Sequence, residues 1–153
     1  MKKLIILITL LVSFSSTFSQ LPCVTFHRTL YCYKEFDGDW IYNSQSKSGY
    51  FKEGVVSRVR CVVYNGFDYR ISVCDEGTFE KPPIYKIFDS PTGELIVDSE
   101  TLQTKEFIFR STDSRTLTIE VEIPTGKKGY TKRKPSGTEC IGLMIFQRVT
   151  IQP

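Results

Sequence analysis

From Trp40 onward, apolar and polar residues alternate in short runs divided by turn-forming residues. VVSRVRCVVY (55–64) places Val55, Val59, Cys61 and Val63 on one face. YRISVC (69–74) places Tyr69, Ile71 and Val73 on one face and Arg70, Ser72 and Cys74 on the other. IYKIFD (84–89), ELIVD (94–98), EFIFR (106–110), TLTIEVEI (116–123) and CIGLMIFQRVTI (140–151) follow. Successive side chains of a strand point to opposite faces, so a period of two with β-branched and aromatic residues predicts half-buried strands. No segment sustains the 3.6-residue period of an amphipathic helix.

The punctuation agrees. Asn65-Gly66 separates two strands in the manner of a hairpin turn, Ser90-Pro91-Thr92-Gly93 separates another pair, and Pro82-Pro83 blocks any helix. Seven to eight short strands predict an all-β fold: an antiparallel β-sandwich of the jelly-roll type, with a closed barrel as the alternative. Residues 20–38 are less regular. They read as an N-terminal arm, either an ordered strand or a segment pinned to the domain by Cys23 and Cys32.

The N-terminus adds a compartment. Lys2 and Lys3 precede an apolar run from Leu4 to Val12, and Thr17 and Ser19 are small residues suited to cleavage before Gln20. Residues 1–19 therefore read as a secretory signal peptide, their apolar run falling well short of the roughly 20 residues of a membrane span. Cleavage would leave one domain, 20–153, large enough for a core, and lower the formal net charge from +3 to +1. Charge this balanced argues against a nucleic-acid binder or a membrane-surface binder. The expectation is an exported monomer, periplasmic or extracellular, without a membrane span.

Export makes the five cysteines candidates for disulfides, and an odd count leaves one over. No C-x-x-C occurs, so neither a zinc knuckle nor a thioredoxin-like pair is indicated. Parity turns Cys61 inward with Val59 and Val63, as a buried free thiol. Cys74 and Cys140 both point away from the core faces of their strands. If those strands are antiparallel neighbours, Cys74 pairs with Cys140, leaving Cys23 to pair with Cys32. The rival pairing joins Cys61 to Cys74 across a hairpin.

Candidate chemistry is sparse. His27 is the single histidine, so a Ser-His-Asp triad or a typical zinc site would depend on it. No nucleophile elbow, phosphate loop or dinucleotide fingerprint is present. Asp37, Asp39, Asp75, Glu76, Asp89 and Asp98 fall near strand ends, where two carboxylates at suitable separation would serve a glycosidase. Asp37-Gly38-Asp39 resembles a fragment of a calcium loop without its remaining ligands, so no cofactor is expected. Lys127, Lys128, Lys132, Arg133 and Lys134 surround Tyr130 in a candidate loop for an anion or another ligand. Trp40, at the start of a strand, is expected in the core, with an exposed aromatic platform as the alternative. Arg70 and Ser72 point outward for no reason the predicted core supplies.

NSQSKSGYFKEG (43–54) and GFDYRISVC (66–74), with Phe107-Ile108-Phe109, Leu117 to Pro124 and Cys140-Ile141-Gly142, resemble small exported proteins of Bacteroidota-type bacteria. The resemblance brings no catalytic or binding residues with it. A looser likeness, through the D-x-x-x-G-x-L turn of Asp89 to Leu95, is to pre-peptidase C-terminal and CUB-like sandwiches, and it implies fold alone. Together these readings predict a non-catalytic binding or envelope-associated module whose partner is a cell-envelope glycan or another exported protein. The alternatives are a small carboxylate-dependent hydrolase acting on such a glycan and a structural subunit assembling through strand edges.

Overall fold

In the computed structural model, which describes residues 23–33, 39–126 and 137–150, the alternating runs form antiparallel strands paired on a nested plan. They are β1 (Ile41–Tyr42), β2 (Lys47–Lys52), β3 (Ser57–Val63), β4 (Phe67–Asp75) and β5 (Ile84–Asp89). After these come β6 (Leu95–Asp98), β7 (Glu106–Arg110), β8 (Arg115–Glu122) and β9 (Thr138–Val149). β5 pairs with β6, β4 with β7, β3 with β8 and β2 with β9, as though one long hairpin had been rolled up. Sideways pairing of β4 with β9 and of β5 with β8 joins the pairs into two sheets, β2-β9-β4-β7 and β3-β8-β5-β6. This is a jelly roll with two separate sheets, not a closed barrel. β1 adds two residues beside β9.

The tip of the rolled hairpin is the Ser90–Gly93 turn. The Asp89 carboxylate accepts the Thr92 N–H at 3.1 Å and its hydroxyl at 2.9 Å, and Gly93 adopts a φ of 71°. Asp98 caps a single helical turn, α1 (Ser99–Leu102), by accepting the Glu100 N–H at 3.0 Å. Asn65-Gly66 is not a hairpin turn. β3 and β4 lie in opposite sheets, so this dipeptide carries the chain around a corner, with Gly66 at a φ of 84°. The rival Cys61–Cys74 pairing therefore has no hairpin to rest on.

The nine strands among the described residues exceed the seven to eight expected, because β1 and β2 show no readable alternation. Tyr69, Ile71, Leu117, Ile119, Ile141 and Ile145 anchor the core between the sheets, each contributing about 1.5–3 kcal/mol by burial. Cys61 lies among them, 1% exposed and unpaired, and burial pushes its thiol up to about 11. β9 is buried on both faces from Ile141 to Phe146. Its outer residues Met144 and Phe146 form a second apolar cluster with Phe26 and Cys32 of the N-terminal arm.

The arm corrects the expected disulfides. Cys74 and Cys140 share the outer face, but Cys74 stands opposite Gly142, two residues along β9 from Cys140. Diagonal neighbours in a sheet are about 7–8 Å apart, beyond the usual Cα separation of a disulfide. The arm lies across them and bonds each: Cys23 to Cys140 and Cys32 to Cys74, both with Cα atoms 5.2 Å apart. With sequence separations of 117 and 42, each bridge taken alone is worth about 4–5 kcal/mol by chain entropy. Two disulfides are compatible with an oxidising, exported location. Among the described residues no helix is long and apolar enough to cross a membrane.

Candidate functional site

The arm begins as a 3₁₀ helix, Cys23–Arg28, and turns back where Thr29 accepts the N–H groups of Cys32 at 3.0 Å and Tyr33 at 2.8 Å. His27 is buried beneath it. Its Nδ1 lies 2.7 Å from the Ser48 hydroxyl of β2, and its ring stacks on Tyr42 with centroids 6.3 Å apart. Burial, aided by Arg28, lowers its pKa and favours the neutral ring. Close approach of the arm depends on Gly142: a Cβ there would stand 2.6 Å from the Cys74 sulfur and 2.8 Å from the Cys32 sulfur.

On the outward face of β4, Arg70 and Asp68 have partners. Arg70 binds Glu106 through Nε and Nη2 at 2.6 and 2.7 Å. Its guanidinium also sits 5.8 Å from the ring of Trp40, with Arg148 at 4.6 Å. Trp40 is thus not in the core between the sheets but half-buried on the outer face. Asp68, 7% exposed, accepts from Arg148 at 3.1 Å, Arg110 at 3.3 Å and the Thr150 hydroxyl at 2.9 Å. Burial pushes its carboxyl up, but these three hydrogen bonds together outweigh it and leave the pKa lowered.

Beside the Cys32–Cys74 bridge the outer face opens into a cleft of about 150 Å³. Tyr31 forms one wall, stacked on Phe26 with centroids 5.9 Å apart yet 70% exposed. Ser72, Asp75, Lys105 and Glu106 supply the polar groups of the lining. Glu106 is bound to Arg70, whereas the side chains of Ser72, Asp75 and Lys105 form no hydrogen bond or ion pair among the described residues. Val73, Asp75 and Lys105 also border a lobe of about 20 Å³, roofed by Pro82 and Pro83, with Tyr85 on its wall. The Tyr85 side chain is 1% exposed and its hydroxyl has no partner among the described residues. Burial, then the nearby Glu106 charge, push its pKa up to about 12. On the far side of the arm, Arg28, Tyr33 and Tyr42 line an open basin.

Three of the six acids singled out by sequence hold backbone in place. Asp89 and Asp98 cap turns, and Glu76 accepts the Cys140 N–H at 3.1 Å. Asp75 alone of that set lines the cleft. Asp37 lies outside the described residues, and Asp39 is exposed. No group of three potential metal ligands occurs among the described residues. Lys127, Lys128, Tyr130, Lys132, Arg133 and Lys134 also lie outside the described residues. Glu139 was not singled out. It is 1% exposed, accepts the Thr78 N–H at 3.0 Å, and burial raises its pKa despite that bond. Tyr31, Ser72, Tyr85 and Lys105 converge only through the disulfide and the sheet register, which no local pattern encodes. No family model matches this chain, nor does any curated protein.

Proposed function

We propose that this protein is an exported, non-catalytic binding module whose cleft beside Cys32–Cys74 takes a neutral saccharide of the cell envelope. The observation that carries the reading is the Tyr85 hydroxyl, without a partner among the described residues, on a side chain that walls the lobe adjoining a cleft with an exposed aromatic wall. An orphaned buried hydroxyl costs about 1–3 kcal/mol, a cost a ligand hydroxyl in the lobe would relieve. Sugar hydroxyls both donate and accept, which suits the mixture of Asp75, Lys105 and Ser72 better than a ligand of one charge. The apolar face of a pyranose fits the exposed ring of Tyr31, and the disulfide holds that ring without further ordering cost.

The hydrolase reading has less support. Asp75 and Glu106 share the cleft but neither is buried, and Glu106 is engaged by Arg70, while the buried Glu139 accepts loop amide hydrogens and lines neither the cleft nor its lobe. The test is equilibrium binding of the oxidised protein to cellotetraose, mannotetraose and chitotetraose, with retention on an envelope glycan fraction. Tyr31→Ala is expected to weaken binding about tenfold. Tyr85→Phe is expected to weaken it about fivefold while leaving the fold as stable or more so. No saccharide binding at millimolar concentration, or binding indifferent to both substitutions, refutes the proposal.

A further inference from the structure

β2 and β3 are edge strands of opposite sheets, and between them the sandwich opens into an apolar cleft of about 250 Å³. Phe51, Val59, Val121, Ile141 and Leu143 line it. Gly49 stands opposite Ile141 and Lys47 opposite Leu143. Paired residues project to the same side, so both positions face inward.

Gly49 is unusual there. Its φ is not positive, and a Cβ built on it meets nothing within 4 Å. Neither backbone conformation nor close packing requires glycine, although glycine in a strand interior sacrifices both stability and a core side chain. The missing side chain leaves the cleft open. Lys47 is equally out of place on an inward-facing position. Lys47 lines the same cleft, is exposed, and its ammonium has no ion pair or hydrogen bond among the described residues.

We propose that this cleft binds a single acyl chain with an anionic head, of the fatty carboxylate class. The chain lies against Phe51, Val59, Val121, Ile141 and Leu143, and the carboxylate meets the Lys47 ammonium. Apolar walls with one convergent charged group are the usual make-up of a site for a small amphiphile. A flexible chain also suits a slot between two sheets packed about 10 Å apart. The site is separate from the saccharide cleft and does not depend on it.

The test is calorimetric titration of the oxidised protein with laurate and, as a charge-reversed comparator, dodecyltrimethylammonium, both below their micellar concentrations. Laurate is expected to bind more tightly by about tenfold. Gly49→Val fills the cleft and is expected to remove laurate binding without lowering the melting temperature. Lys47→Glu, at an exposed position, is expected to cost about fivefold in laurate affinity and to favour the cation. Equal binding of the two amphiphiles, laurate binding retained in Gly49→Val, or no laurate binding at all overturns the proposal. So does a Lys47→Glu protein that self-associates while its laurate affinity is unchanged, which would make Lys47 an edge-strand guard.

Discussion

Gly142 offers a direct test of how the arm is held. Alanine at this position would set a methyl group 2.6 Å from the Cys74 sulfur, 2.8 Å from the Cys32 sulfur and 3.3 Å from the His27 Cα. None of these atoms is the end of a flexible side chain: two are joined in a disulfide and the third is backbone. Relief requires the arm to lift from β9, loosening Phe26 against Met144 and Phe146. Overpacking of this kind costs about 1–3 kcal/mol, and the rigidity of the neighbours puts Gly142→Ala at the upper end, about 2–3 kcal/mol. For a domain of this length that corresponds to a melting temperature lower by about 10 °C. Urea unfolding of the oxidised protein measures the loss. The same substitution in a Cys32→Ala/Cys74→Ala background meets neither sulfur, so its cost should fall below about 1 kcal/mol, a coupling of at least about 1 kcal/mol. An equal cost in both backgrounds, or less than about 0.5 kcal/mol in the parent, would refute the proposed contact.

Three further outcomes are expected. Peptide mapping without reduction should recover Cys23–Cys140 and Cys32–Cys74, with Cys61 alkylated by iodoacetamide only after unfolding; labelling of the native protein would contradict its burial. Glu139 has a folded pKa raised above 4.5, so the stability associated with its protonation is greatest below that value and is lost as pH rises through the folded value. Glu139→Gln should therefore melt at the same or a higher temperature near neutral pH, the gain disappearing near pH 4; a loss at neutral pH would show that its loop bonds outweigh its burial cost. Asp68 has the opposite sign, its pKa held below 3.8, so its contribution is present above that value and is lost on acidification through the lowered one. Asp68→Asn should cost about 1–3 kcal/mol at neutral pH and little at strongly acidic pH; a pH-independent cost would point to packing in place of charge.

The strands with clean alternation were legible because each had one solvated face. β5 and β7 run from Ile84 to Asp89 and from Glu106 to Arg110, the spans that periodicity predicts. β2 was not legible, and its inward positions explain why. A strand read from its apolar face disappears when that face carries Lys47 and Gly49 before Phe51. The disulfide pairing failed for a different reason. Parity placed Cys74 and Cys140 on the correct face, but parity is silent about an offset of two residues. That offset turned one expected bridge into two anchor points for the arm.

The site was hidden by the same layering. Outward residues on a sheet are read as solvated, so Arg70 and Ser72 had no neighbours in the sequence reading, and Met144 and Phe146 were absorbed into a continuous apolar run. A strand buried on both faces reads as such a run, and CIGLMIF is one. A run of that kind in an otherwise alternating chain calls for a covering layer on its second face. The arm is that layer, and covering β9 is what brings Tyr31 to the edge of β4 beside Ser72 and Asp75. The cleft is therefore a boundary feature: it lies where the covering layer ends and the sheet continues. Because Cys32–Cys74 fixes that boundary, reducing this one bridge should abolish the proposed saccharide binding before the core between the sheets unfolds. Near-ultraviolet dichroism alongside saccharide binding would follow the two losses, and their coincidence in a single transition would show that cover and core are one cooperative unit.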